Sequence, residues 1–225
     1  MRTGLIAMRI RRYLDCAHLN VRAAGLILRN RWVRPSDVAH SYSRIAPGYD
    51  AAWLVHLQDT TLLLLDALPQ SLPNGSILDL GCGTGFAALR LAKRFPDRTV
   101  AACDISAGMI AEARTRPGAN AVSWNVADIQ SFLATLPGGS AVLAVAAWSA
   151  GYGDFRRICR DVRRILAPGG AFALVVNLAD TLAPLRRAFR FCMQAHAADL
   201  NRLARFPFPL SPSAVRRNLL AAGFR

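Results

Sequence analysis

The rhythm of hydrophobic positions changes at Ser76. Before it, residues 5–33 place Leu5, Ile6, Ile10, Leu14, Leu19, Leu26 and Ile27 between arginines, a spacing that predicts one or two basic amphipathic helices. Pro35-Ser36-Asp37 reads as a break into a linker. A further helix is predicted over 50–68, stopped by Pro69 and followed by a turn at Leu72-Pro73-Asn74-Gly75. From Ser76 onward short apolar runs alternate with helix-length segments: 77–80 then 87–95, 99–103 then 107–114, 121–126 then 129–136, 141–148 then 155–166, and finally 171–177. Strands alternating with helices imply right-handed crossovers, hence a doubly wound α/β fold with a mostly parallel sheet of five strands and helices on both faces. After Asn177 the alternation stops. Residues 181–206 read as a basic helical segment, with Leu182, Leu185, Phe189, Met193, Leu200 and Leu203 at near-helical spacing, and 211–222 as a last, capped helix. The chain thus divides into a basic helical extension, residues 1–40, and one α/β domain, residues 41–225, with a helical insertion at about 181–206.

Composition narrows the classes. With 225 residues, 53% hydrophobic and 19% charged, the chain has ample material for a core and is not globally disordered. Its longest apolar stretches fall short of the roughly 20 residues of a spanning helix, which excludes a multi-spanning membrane protein. The formal charge is +14, and of the 28 cations all but Lys93 are arginines. It is unevenly spread: +6 over residues 1–40, −1 over 41–150 and +9 over 151–225. A neutral middle between basic flanks ties the charge to anionic surroundings rather than to the central chemistry. Nucleic acid, an acidic carrier protein, anionic lipid and an anionic substrate all fit, as does an arginine-rich genome using arginine for solubility. The five cysteines form no C-x-x-C pair and no cluster with histidine, so neither a disulfide framework nor a metal site is expected. Free thiols in apolar patterns suit a reducing, cytoplasmic compartment. No signal-peptide core is visible at the N-terminus, and its poverty in serine argues against an organellar transit segment.

The string with most chemistry is Ile77-Leu78-Asp79-Leu80-Gly81-Cys82-Gly83-Thr84-Gly85, followed at once by a helical pattern. Glycines at 81, 83 and 85 permit a tight turn and close approach of a ligand, and the helix behind them presents its N-terminus. Glycine is also used at strand-to-helix turns for geometry alone. A dinucleotide fingerprint would want glycine or alanine where Phe86 stands, and a phosphate-binding P-loop would end in Gly-Lys-Ser/Thr. The second strand ends in Asp104, where a carboxylate can accept hydrogen bonds from both ribose hydroxyls. It could instead cap the next helix, a task equally open to Ser106. Asp128, after the third strand, is a further acidic candidate with the same capping alternative.

The run Asp79 to Gly85, D-x-G-x-G-x-G, resembles the cofactor loop of class I S-adenosylmethionine-dependent methyltransferases. That cofactor has a zwitterionic methionine end and no pyrophosphate, so close backbone approach beside a carboxylate suits it. The resemblance implies a Rossmann-like fold and a cofactor-binding set of Asp79, Gly81, Cys82, Gly83 and Gly85, with Asp104 on the ribose, Ile105 against the adenine face and Asp128 near the adenine amino group. Arg163 to Gly170 looks like the R-x-L-x-P-G-G turn of the superfamily, a structural marker. Ser43 to Asp50 is similar to the segment preceding the core in ubiquinone/menaquinone C-methyltransferases and malonyl-carrier-protein O-methyltransferases, which would lay Tyr49 over the cofactor. The alternative for Tyr49 is an aromatic staple onto the sheet. The resemblance covers most of residues 43–224.

Two departures stand out. Ser140-Ala141 replaces the acid that usually begins the fourth strand, and Trp148-Ser149-Ala150-Gly151-Tyr152 follows that strand, which leaves the substrate open. The chain stops at Ala222-Gly223-Phe224-Arg225, where the family continues into an antiparallel pair completing a seven-stranded sheet. The C-terminal antiparallel strands are therefore expected to be missing, through a fragment or a shortened sheet, with the fifth strand left as an edge.

Methyl transfer from a sulfonium is an in-line displacement, so positioning and exclusion of water carry it. A general base is needed only if the acceptor must lose a proton. His40, His56, His196, Tyr49 and Tyr152 are candidates that no spacing separates, and the catalytic residue stays unassigned. The expected function is S-adenosylmethionine-dependent methylation of a small or lipophilic acceptor, with an acidic carrier protein or an anionic membrane surface as partner. Nucleic acid is disfavoured by the near absence of lysine and of aromatic clusters among the arginines. The alternative is a non-catalytic methyltransferase-like binding or assembly protein, against which the intact Gly81, Gly83, Gly85, Asp104 and Asp128 set speaks. Residues 5–34 have the arginine-plus-aliphatic make-up of an interfacial helix, which would place a cytoplasmic protein at the periphery of a membrane; otherwise this helix covers the domain with its apolar stripe.

Overall fold

The computed structural model describes residues 2–181, 183–205 and 207–225, with side chains from residue 10 onward. Leu182 and Phe206, and the side chains of Leu5 and Ile6, lie outside the described residues. The chain forms two compact units, residues 1–34 with 180–205 and residues 35–179 with 206–225.

The second unit is the α/β body. Its sheet contains β1 (Ser76–Leu80), β2 (Val100–Asp104), β3 (Val122–Val126), β4 (Ala141–Ala147) and β5 (Leu166–Val175) in the spatial order β3-β2-β1-β4-β5. Every pairing is parallel, with Leu78 opposite both Ala101 and Ala144, and Val145 opposite Ala173. The alternating rhythm of the sequence is thereby realised as a doubly wound α/β fold. β5 begins earlier than its apolar run predicts, because Ala167-Pro168-Gly169-Gly170 already lies in the strand. Proline is tolerated there because the register with β4 shifts between Leu166 and Ala171, so that Pro168 lies in an irregular stretch without a ladder partner. Among the described residues no antiparallel strand joins β5.

Period-two alternation sorts the central strands between two cores. Leu78, Leu80, Ala144 and Ala146 face one side with Phe132 and Leu133 of α6 (Ile129–Thr135) and Ile158, Val162 and Ile165 of α7 (Phe155–Ile165). Ile77, Leu143 and Val145 face the other with Leu91 of α4 (Phe86–Arg94), Ile110 of α5 (Ala107–Arg114) and Leu65 of α3 (Val55–Asp66). α7 shows the helical counterpart of this sorting: Phe155, Ile158, Cys159, Val162 and Ile165 are buried while its arginines are exposed. Helix starts are fixed by side-chain caps at Ser106, Asp128, Asp154 and Ser211, the last opening α9 (Pro212–Ala221).

Pro35-Ser36-Asp37 is a helix start rather than a linker, for α2 spans Pro35–Ile45. Proline at the first helical position lacks only an N–H that would be unpaired there, and Asp37 sits in the first turn at the positive end of the dipole. From α2 the chain passes through a 3₁₀ turn (Ala46–Gly48) and a π-helical turn (Asp50–Leu54) into α3. The helix expected over 50–68 thus opens in a wider coil.

The first unit pairs α1 (Arg2–Leu28) with α8 (Ala183–Ala195). Leu19 and Leu26 of α1 and Ala197 beyond α8 are buried. Trp32 and Leu203 form a parallel bridge, with Val33 N–H donating to the Leu203 carbonyl at 2.9 Å. Leu200 and Leu203, expected on a helix, therefore lie in extended chain, where the Leu200 carbonyl accepts from Arg22 Nε at 3.0 Å. Among the described residues no helix is long and apolar enough to cross a membrane.

Candidate active site

Because all five strands run parallel, their following loops gather at one edge of the sheet, and the glycine loop after β1 occupies its centre. The loop is pinned from below: Gly81 and Cys82 N–H both donate to the Cys103 carbonyl, at 2.8 and 2.9 Å. Gly81 has φ +75°, and a Cβ there would stand 2.3 Å from Ser149 Cβ, so only glycine fits between the loops that follow β1 and β4. Ser149 Oγ in turn donates to the Leu80 carbonyl.

Two carboxylates define the electrostatics. Asp79 is 1% exposed, and its Oδ2 has no hydrogen-bond partner. Burial raises its pKa to about 7, the Ala88 N–H opposing this and the charge of Asp104 adding to it. Asp104 is raised by burial too, against hydrogen bonds from Ser106 N–H to Oδ1 at 2.8 Å and Gly83 N–H to Oδ2 at 2.9 Å. The cap of α5 belongs to Ser106, whose Oγ accepts from Met109 N–H. Asp104 instead braces the glycine loop.

Asp128 does cap α6, accepting from Ser131 N–H at 3.0 Å. Burial would raise its pKa, but hydrogen bonds from Ser131 and Gln130 prevail and lower it. Cys82 is buried and its thiol is pushed well up, so it acts as a small wall residue.

A cleft forms above the loop, bordered by Asp79, Gly81, Cys82, Gly83 and Thr84, by Tyr49, Leu54, Leu57 and Thr61 from the preceding segment, and by Ala147 and Trp148 from the end of β4. Five of the expected cofactor residues therefore share one cavity: Tyr49, Asp79, Gly81, Cys82 and Gly83. Asp104 meets it through Gly83, whereas Ile105 and Asp128 lie at the ends of the neighbouring strands and Gly85 starts α4. None of the histidines borders the cleft; His196 instead pairs with Asp199 at 3.5 Å in the other unit. Above it Tyr42, Tyr49 and Tyr152 cluster, the Tyr42 and Tyr152 hydroxyls 3.2 Å apart. Burial pushes the Tyr49 hydroxyl up to about 12 and raises Tyr42 as well.

Three contacts of the site carry no signal in the sequence, although Ser43, Asp50 and Trp148 lie in segments that it singles out. Asp50, on the π-helical turn, accepts from Thr84 Oγ1 at 2.7 Å and pairs with Arg116, clamping the segment before α3 onto the glycine loop. Ser43 Oγ is 2.9 Å from Ser106 Oγ and accepts from Gly108 N–H at 3.2 Å, seating α2 on the start of α5. Trp148 holds φ +67°, an uncommon conformation for a bulky residue, with its indole N–H donating to Thr61 Oγ1 at 3.2 Å. All three depend on contacts between segments far apart in sequence.

The site can receive the donor group of a ligand. Asp79 Oδ2 is a buried acceptor without a donor, and the adjacent backbone admits close approach. Residues 77–170 match the family described as "Methyltransferase domain". The chain is 32% identical over 196 residues to a malonyl-[acyl-carrier protein] O-methyltransferase of Hahella chejuensis, covering 86% of this chain and 65% of that protein. It is 30% identical over 188 residues to the enzyme of that name from Nitrosospira multiformis, covering 75% and 59%. The likeness is to methyltransferases in the family match and in both relatives. A methyltransferase of the same fold, the geranyl diphosphate C-methyltransferase from Streptomyces coelicolor A3(2), superposes with a TM-score of 0.55 at 17% identity, covering 73% of this chain and 56% of that one. The chain spans about three-fifths of the length of these curated relatives, 59% and 65%.

Proposed function

We propose that the cleft binds S-adenosylmethionine and that the α/β domain transfers its methyl group to a small or lipophilic acceptor. The observation that carries this is the unpartnered, buried Oδ2 of Asp79 beside the glycine loop. When bound, the cofactor supplies an electrophilic methyl group on a sulfonium. Asp79 would accept from its ammonium group, Gly81, Cys82 and Gly83 would lie against it, and Asp104 would hold the ribose hydroxyls with lone pairs that Gly83 and Ser106 do not use. Gly85 opens the helix behind the loop, Ile105 and Asp128 serve the adenine, and Tyr49 covers the cleft. The chain's contribution to the displacement is alignment and exclusion of water.

The lining also bears on the acceptor. It contains no histidine, its tyrosine hydroxyl, pushed up to about 12, stays protonated at neutral pH and does not serve as a base, and its carboxylate, Asp79, is taken up by the cofactor's ammonium group in this reading. This supports an acceptor that is nucleophilic without losing a proton, a carboxylate being the simplest case. Relatives named as malonyl-[acyl-carrier protein] O-methyltransferases support an acidic carrier as the bearer of such an acceptor. In this reading the domain at 41–225 does the chemistry, while residues 1–40 and the 181–206 insertion meet the surroundings.

The test is calorimetric titration of S-adenosylmethionine into the chain and into Asp104→Ala. Saturable binding, weakened by roughly 1.5–3 kcal/mol in the variant, is expected from the loss of charge-assisted hydrogen bonds. A folded chain that binds no cofactor would leave the non-catalytic binding protein as the better reading.

A further inference from the structure

The unit of residues 1–34 and 180–205 carries thirteen arginines against three aspartates, a net +10 of the chain's +14 in 60 residues. Its helices are also apolar on the outside. On α1 the buried residues Leu19 and Leu26 mark the inward face, with half-buried Asp15, Arg22 and Ala23 around them. At 3.6 residues per turn, Ile10, Leu14, Ala17, Val21, Ala24 and Leu28 fall on the opposite side, and all six are exposed. The large members are 55%, 61%, 71% and 87% exposed at Ile10, Leu14, Val21 and Leu28. Tyr13 flanks this stripe at 77% exposure, and Arg11 and Arg29 border its other side. On α8, Leu185, Phe189 and Cys192 form a second exposed apolar row. A helix with one apolar face needs one cover; α1 has two such faces.

We propose that this unit is a docking surface for an anionic lipid membrane. The stripe from Ile10 to Leu28 is about 27 Å long, matched by a plane of acyl chains and headgroups better than by a point contact. Flanking arginines meet the anionic headgroups, and Tyr13 takes the position of an interfacial aromatic. The alternatives fit less of it. A second copy packed on the 3-4 spacing of the stripe would set arginines against arginines, since the only acid of α1, Asp15, lies toward the inward face. An RNA would use the arginines and leave Ile10, Leu14, Val21 and Leu28 in water. The inference is independent of the methyl-transfer reading, because no residue of the cleft takes part.

The test is cosedimentation of the full chain with phosphatidylcholine vesicles, with and without phosphatidylglycerol. Binding is expected only to the anionic vesicles and should fall steeply with salt. Leu14→Gln combined with Val21→Gln should lower it at least tenfold, and Arg11→Gln alone about fivefold. S-adenosylmethionine titration of the same variants reports separately on the cleft. Equal binding to neutral vesicles, binding untouched by the stripe variant, a solution dimer dissolved by that variant, or binding of a short RNA without binding of vesicles would each overturn the proposal.

Discussion

The glycine-loop end of the sheet and the α1–α8 unit leave opposite kinds of group unmatched. At the loop, negative charge is short of solvent: Asp79 and Asp104 are desolvated, and the nearby guanidinium of Arg116 is engaged by Asp50. On α1 and α8 hydrocarbon meets water beside positive charge. Each mismatch costs free energy in the isolated chain, and each describes its complement. In the two proposals, the unsatisfied carboxylate meets the ammonium group of the cofactor, and the exposed aliphatic rows bordered by arginine meet an anionic surface with an apolar interior.

The largest effect is expected from filling the loop. Gly81→Ala forces an alanine into φ +75° against Ser149 and should cost about 3 kcal/mol or more of stability, read by chemical unfolding, and abolish cofactor binding. Asp104→Ala comes next, at the roughly 1.5–3 kcal/mol of binding given above, with little change in stability because the relief of a buried charge offsets the lost loop bonds.

Asp79→Asn reports on the charge at the loop through pH. Its pKa is raised from 3.8 to about 7 in the folded chain, so the folded state holds a proton that the unfolded state has released between these values. Stability should therefore fall as pH rises from 4 to 7, and the fall should be smaller in Asp79→Asn. Affinity for the cationic cofactor should move the other way, rising about tenfold from pH 6 to 8 as the carboxylate ionises, and this rise should vanish in the variant. Thr84→Val removes the hydroxyl that ties the loop to Asp50 and should cost about 1 kcal/mol in cofactor binding. Smallest is Leu14→Gln with Val21→Gln, which should change stability by less than about 0.5 kcal/mol, since both side chains already face water. That contrast, near silence in stability beside a large loss on vesicles, separates a docking surface from a core.

Local pattern alone carried the alternation of five parallel strands with helices and set the glycine loop and Asp104 at strand ends. Strand and helix periodicities are local, so Leu78 and Ile77 are assigned to opposite faces by alternation alone, and the glycine loop and Asp104 are tied to strand ends by spacing. Where a local choice was double-valued, tertiary contact decided it. Pro35 starts a helix because α2 seats on α5 through Ser43, Asp104 is released to the loop because Ser106 supplies the cap, and Leu203 is extended because it bridges to Trp32. The clamp of Asp50 on Thr84 and Arg116 and the lodging of Ser149 against Gly81 join residues separated by 34, 66 and 68 positions, a range at which no periodicity carries information. The outward stripe of α1 was present in the sequence as apolar spacing, but which face of a two-faced helix lies inward depends on what packs against Leu19 and Leu26, and only the folded unit decides that.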